Sequence, residues 1–127
     1  MEYLKKKVFY WSPSLVDIAT NKAVINSAYS LLKYNNKFES SIINFFGEFS
    51  KFERDIIEKK IKLISHFNNK IIKFLPKYGK LKSRLSFIVI YLFSFFPLKK
   101  LLEKEKPDYL IVQLITSLPL TLLILFN

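Results

Sequence analysis

Lys7-Val8-Phe9-Tyr10-Trp11, stopped by Ser12-Pro13, is the stretch on which the fold turns. A short β-branched and aromatic run of this kind predicts a buried first strand, and the Ser-Pro pair ends it. A loop follows over Ser14 to Thr20, after which Asn21 is placed to cap a helix. Ala23, Val24, Ser27, Ala28, Leu31 and Leu32 then recur at helical spacing as far as Asn35-Asn36. Phe38 to Phe46 reads as a second strand closed by Gly47, Ser50 to Lys60 as a short polar helix, and Ile61 to His66 as a third strand. Asn68 to Lys82 is basic and broken by Pro76 and Gly79, so a loop or a loose amphipathic turn is expected there. Ser83 to Glu105 reads as a long helix that Pro97 is expected to kink or split. Lys106-Pro107-Asp108 ends it, Tyr109 to Leu114 is a fourth strand, and Ser117, with Pro119 two places on, starts a last helix. Strands alternating with helices at this spacing predict an α/β fold with right-handed crossovers, a parallel sheet and helices on both faces. Such sheets take ligands beyond the carboxyl ends of their strands, which makes Ser12 to Asn21, Phe46 to Phe49, His66 to Asn69 and Gln113 to Ser117 the candidate edge.

Composition narrows the chemistry. At 127 residues the chain fits a single domain, and with half its residues hydrophobic, 17% aromatic and only two glycines it is neither a disordered nor a low-complexity chain. The lack of cysteine excludes a disulfide framework, a thiolate metal site and a cysteine nucleophile; the single histidine excludes a His-cluster site, so no metal is expected. No P-loop, Gly-rich dinucleotide motif or serine-hydrolase elbow is present, and no cofactor is expected.

Charge is unevenly placed. The net +11 comes from 21 Lys and Arg against 10 acids, and no acid occurs between Glu58 and Glu103, an interval holding eleven Lys and Arg. Nine of the eleven lie between Lys59 and Arg84, interleaved with Ile61, Leu63, Ile64, Ile71, Ile72, Phe74 and Leu75. Nucleic acid is not the expected partner, because 19 of the 21 are Lys and Arg is the residue that reads bases and phosphates bidentately. Two readings remain, an anionic membrane surface and a plain solvated face.

Two uncharged runs bear on the membrane. Leu85 to Leu98, LSFIVIYLFSFFPL, has fourteen residues, the length of a buried or interfacial helix, whereas a span needs about 20. Tyr109 to Phe126 has eighteen, interrupted by Gln113, Thr116, Ser117 and Pro119. The first residues have no signal-peptide character, so the chain is expected in the cytoplasm, peripheral at the inner face of the membrane. There the lysines would meet head groups while Phe87, Tyr91 and Phe95 dip below them. The alternative packs Leu85 to Leu98 wholly against the sheet.

The succession Val8-Phe9-Tyr10-Trp11-Ser12-Pro13, then Asn21 to Ala28, then Ser41-Ile42-Ile43-Asn44-Phe45-Phe46-Gly47-Glu48, and finally Lys106-Pro107-Asp108-Tyr109-Leu110-Ile111, resembles the N-terminal domain of a bacterial family 4 glycosyltransferase. It runs through nearly the whole chain in order. The resemblance implies an incomplete, Rossmann-like N-terminal half of a GT-B fold, binding a glycan or lipid-linked acceptor. A nucleotide-sugar donor would be held only with a second, C-terminal domain, so this chain alone is expected to be inactive, as a gene fragment or half of a split enzyme. Family members often carry a Gly pair in the loop after strand one; here only Ala19 and Thr20 are small. Many place a His at the end of strand four, where this chain has Gln113, an amide that can hydrogen-bond a sugar hydroxyl but cannot act as a general base.

The catalytic residue is therefore unknown, with Asp17 and Gln113 as candidates, and the expected acceptor contacts are Ala19, Thr20, Asn21, Glu48, His66, Thr116 and Ser117. Each has a bland counterpart: Asp17 and Glu48 can simply turn their loops, and a lone His66 is commonly structural. Trp11 and the Phe-rich strands read as core. Beside the glycosyltransferase stand two other classes, a non-catalytic membrane-associated module and a small membrane protein whose two apolar runs form a hairpin.

Overall fold

The computed structural model describes residues 3–13, 19–65, 74–76 and 78–113. Four strands, β1 (Lys6–Trp11), β2 (Phe38–Asn44), β3 (Lys62–Ser65) and β4 (Tyr109–Val112), form one sheet in the order β3-β2-β1-β4. Every pairing is parallel, with Trp11 opposite Ile43 and Val112, and Asn44 opposite Ser65. The helices are α1 (Ala19–Tyr34), the short α2 (Glu53–Glu58) and α3 (Lys80–Glu105). This is the expected α/β, Rossmann-like arrangement of a parallel sheet with flanking helices.

Alternation along the strands sorts the core into two layers. Phe9, Trp11, Ile43, Phe45 and Phe46 face α3, where they meet Ile90 and Leu98. Val8, Tyr10 and Ile42 face the other way, onto Val24, Ile25 and Ala28 of α1 and Ile56 of α2. Trp11, 1% exposed, is core as its sequence context suggests.

Several boundaries differ from the sequence reading, each for a local reason. α1 begins at Ala19, so Asn21 lies inside its first turn and is not the cap. Its side chain is occupied elsewhere, donating to the Glu48 carbonyl at 2.9 Å. β2 stops at Asn44 instead of Phe46, because the Asn44 side chain accepts the Phe49 N–H at 3.0 Å and Gly47 turns the chain at φ 93°. α3 starts three residues early, at Lys80, and runs unbroken through Pro97 to Glu105. The first part of the second apolar run, Tyr109–Val112, is a strand of the sheet, which overturns the hairpin of membrane helices.

The Lys106-Pro107-Asp108 element has a structural explanation. Lys106 takes the left-handed conformation at φ 44° and closes α3 by donating to the Leu102 carbonyl at 3.0 Å, and proline cannot continue the helix. Asp108 then seats β4 on β1: its carboxylate accepts the Lys7 N–H at 2.8 Å while its own N–H donates to the Lys7 carbonyl at 2.9 Å. Lys7 Nζ reaches back to Glu105 Oε2 at 3.4 Å. Asp108→Ala is expected to lower stability by about 1 kcal/mol in urea denaturation. Asp108→Asn, which keeps an acceptor, should lose less.

Candidate functional site

The strand order creates a topological switch point. From β1 the chain turns over one face through α1 to reach β2, whereas β4, on the other side of β1, is reached through α3 on the opposite face. The ground beyond the carboxyl ends of these two strands is the usual ligand position in open α/β sheets. Gln113 N–H donates to the Trp11 carbonyl at 3.0 Å, which holds the two strand ends side by side.

Buried polar groups gather at the neighbouring carboxyl ends of β1 and β2. Ser12 and Asn44, 1% and 0% exposed, are the positions that follow the last β1–β2 pair, Trp11 with Ile43. The Asn21 amide ties α1 to the β2 exit through the Glu48 carbonyl, and Glu48 folds back so that Oε2 accepts the Phe46 N–H at 3.1 Å. Ser12 Oγ, Asn21 Oδ1, Asn44 Nδ2 and Glu48 Oε1 are buried without a hydrogen-bond partner among the described residues. Buried polar atoms are ordinarily paired, so four orphans at one sheet edge call for an explanation.

Glu48 is the group with unusual acidity. Burial pushes its pKa up from 4.5 to about 7, although the N–H groups of Glu48, Phe46 and Gly47 pull the other way. At neutral pH it is balanced between holding a proton and accepting one.

The remaining sequence candidates fall out as follows. Ala19 is exposed and Thr20 half-buried at the start of α1, beside Asn21, and Gln113 is half-buried directly after β4. Asp17, His66, Thr116 and Ser117 lie outside the described residues. Ser12 fell within an expected edge segment, but Asn44 was not singled out. Its one signal is an amide closing the otherwise apolar run Ile42-Ile43-Asn44-Phe45-Phe46. Among the described residues no group of three or more His, Cys, Asp or Glu side chains could hold a metal. An open cavity of about 420 Å³ lies elsewhere, between edge strand β3 and the second half of α3, lined by Phe45, Ile64, Leu101, Lys100 and Lys104. It lies beside β3 and not at the switch point, and its carboxylate, Glu105, is engaged with Lys7.

No known protein family, curated protein or solved structure matches the chain. What the site can do rests on its own chemistry: a buried set of uncharged donors and acceptors with one carboxyl group whose pKa is raised to about 7, at the carboxyl edge of the sheet.

Proposed function

We propose that this chain is the acceptor-binding domain of a glycosyltransferase, holding a lipid-linked or cell-envelope glycan while a sugar reaches it from a nucleotide-sugar donor. The observation that carries the reading is the set of four unpartnered atoms beyond the carboxyl ends of β1 and β2. A sugar hydroxyl both donates and accepts: ring hydroxyls can donate to Asn21 Oδ1 and Glu48 Oε1, accept from Asn44 Nδ2, and do either with Ser12 Oγ. None of the four side chains is cationic, which suits a neutral polyol better than a phosphate. The Rossmann-like sheet and the family resemblance of the sequence point the same way. Of these side chains Glu48 is the one suited to relieve an acceptor hydroxyl of its proton, since a general base works best with a pKa near the working pH.

A bacterial glycan array probed with the purified protein tests this. Retention of at least one glycan class is expected, weakened about tenfold by Glu48→Gln and by Ser12→Ala, each of which removes a hydrogen bond to the ligand. An array without signal, together with binding of free nucleotides or oligonucleotides, would overturn the reading.

A further inference from the structure

α3 is apolar on both sides. Toward the sheet it buries Ser86, Ile90, Ser94 and Leu98, with Phe87, Tyr91 and Phe95 packed on the same core. That placement removes these three aromatics from the lipid-facing role the sequence suggested for them. On the other side Leu81, Leu85, Ile88, Leu92 and Phe96 are 74%, 53%, 43%, 61% and 74% exposed, and Phe93 beside them 58%. Their spacing of four, three, four and four residues puts the five on one stripe about 23 Å long, where the outer face of a soluble helix would carry charges.

The stripe is bounded by cations. Lys80, Lys82 and Arg84 are exposed at its start and Lys99 and Lys100 at its end, with no charged residue from Leu85 to Leu98. Lys99 continues the line of Leu81, Leu85, Ile88, Leu92 and Phe96, and one acid, Glu103, follows a turn later. Phe74 and Tyr78, 85% and 80% exposed, precede the helix, and Ser86 Oγ donates to the Pro76 carbonyl at 2.6 Å, which ties Pro76 to the first half of α3.

We propose that this stripe docks on an anionic lipid bilayer, with α3 lying in the plane of the interface, its Leu, Ile and Phe side chains below the head groups and its Lys and Arg on the phosphates. The charge pattern selects this occupant over a second copy of the chain. Either alignment of two such helices sets cationic end against cationic end, in a protein of net charge +11. Among the described residues α3 is a helix long and apolar enough to cross a membrane by length and composition. Crossing would strip Ile90 and Leu98, 1% and 0% exposed, from the sheet, so the helix lies on the bilayer instead. The inference does not rest on the glycosyltransferase reading, and its test uses no sugar.

Because the chain has no cysteine, Leu92→Cys carries one environment-sensitive fluorophore on the 127-residue protein. Mixed phosphatidylcholine–phosphatidylglycerol vesicles should shift its emission to the blue and lipids brominated in the acyl chain should quench it; pure phosphatidylcholine should do neither, and added salt should reverse both. In co-sedimentation, Leu85→Gln/Leu92→Gln/Phe96→Gln and, separately, Lys82→Glu/Lys99→Glu should each weaken partitioning about tenfold, with unchanged circular dichroism. Equal response to both vesicle types, or none to either, overturns the proposal. So does a fluorophore already shielded before vesicles are added, which would mean that a second copy or residues 114–127 cover the stripe. Binding that survives alkaline carbonate would mean a span and overturns it as well.

Discussion

Raising the pH from 4.5 to 7 is expected to cost this fold about 3 kcal/mol, and Glu48→Gln is expected to remove that dependence. The carboxyl group is 2% exposed; Oε2 accepts one backbone N–H, and Oε1 has no partner among the described residues. Ionising it places a charge where half of the group is unsolvated, so the folded state holds the proton more tightly than the unfolded chain does. Below pH 4.5 both states are protonated and the stability is fully present. Between 4.5 and about 7 the unfolded chain releases its proton while the folded one keeps it, and stability falls with rising pH. Above about 7 both are ionised and the loss is complete. Urea denaturation of wild type and Glu48→Gln across this range isolates the effect of Glu48, because every other group is common to both proteins. Parallel pH profiles would show that Glu48 is not the buried acid described here. The same experiment reaches the site: a ligand hydroxyl donating to Oε1 stabilises the ionised form, so a bound glycan should restore part of the stability lost at pH 8.

The legibility of the sequence varied with how many physical causes acted at a position. β1 was readable because a single cause, burial on both faces, selects Val8-Phe9-Tyr10-Trp11, and the parallel sense of the sheet followed from the alternation of elements. α2 and the close of α3 at Lys106-Pro107 were readable because local chemistry stops them. Boundaries went wrong where a side chain makes a distant contact. Asn21 looks like a helix cap, yet its amide is committed to Glu48, 27 residues on. Phe45 and Phe46 look like strand, yet the bond from Phe49 N–H to Asn44 lifts them off the ladder while they remain buried. The candidate site was half legible for the same reason. The edge segments follow from topology, but no local pattern says that Ser12, Asn21, Asn44 and Glu48 converge, since their proximity depends on strand register.

Leu98→Ala is expected to cost about 2–5 kcal/mol, whereas Leu92→Ala, in the same helix and the same uncharged run, should change stability by less than about 0.5 kcal/mol. In the sequence the two leucines are equivalent, because a run apolar on every side carries no moment to say which side faces the core. Six residues at 100° each separate them by most of two turns and place them on different sides of the helix. Leu98, 0% exposed, packs into the cluster of Phe9, Trp11, Ile43, Phe45, Phe46 and Ile90, so truncating it leaves a void that close-packed rings cannot fill. Leu92, 61% exposed, has water as its neighbour in the free protein. With no shared partner, the two losses should add in the double variant. Chemical denaturation of the three variants measures this, and anionic vesicles supply the complementary half: Leu92→Ala should weaken binding while Leu98→Ala, where still folded, should not. Equal losses of stability at the two positions would mean that α3 is turned about its axis or lifted from the sheet, and the docking stripe would go with it.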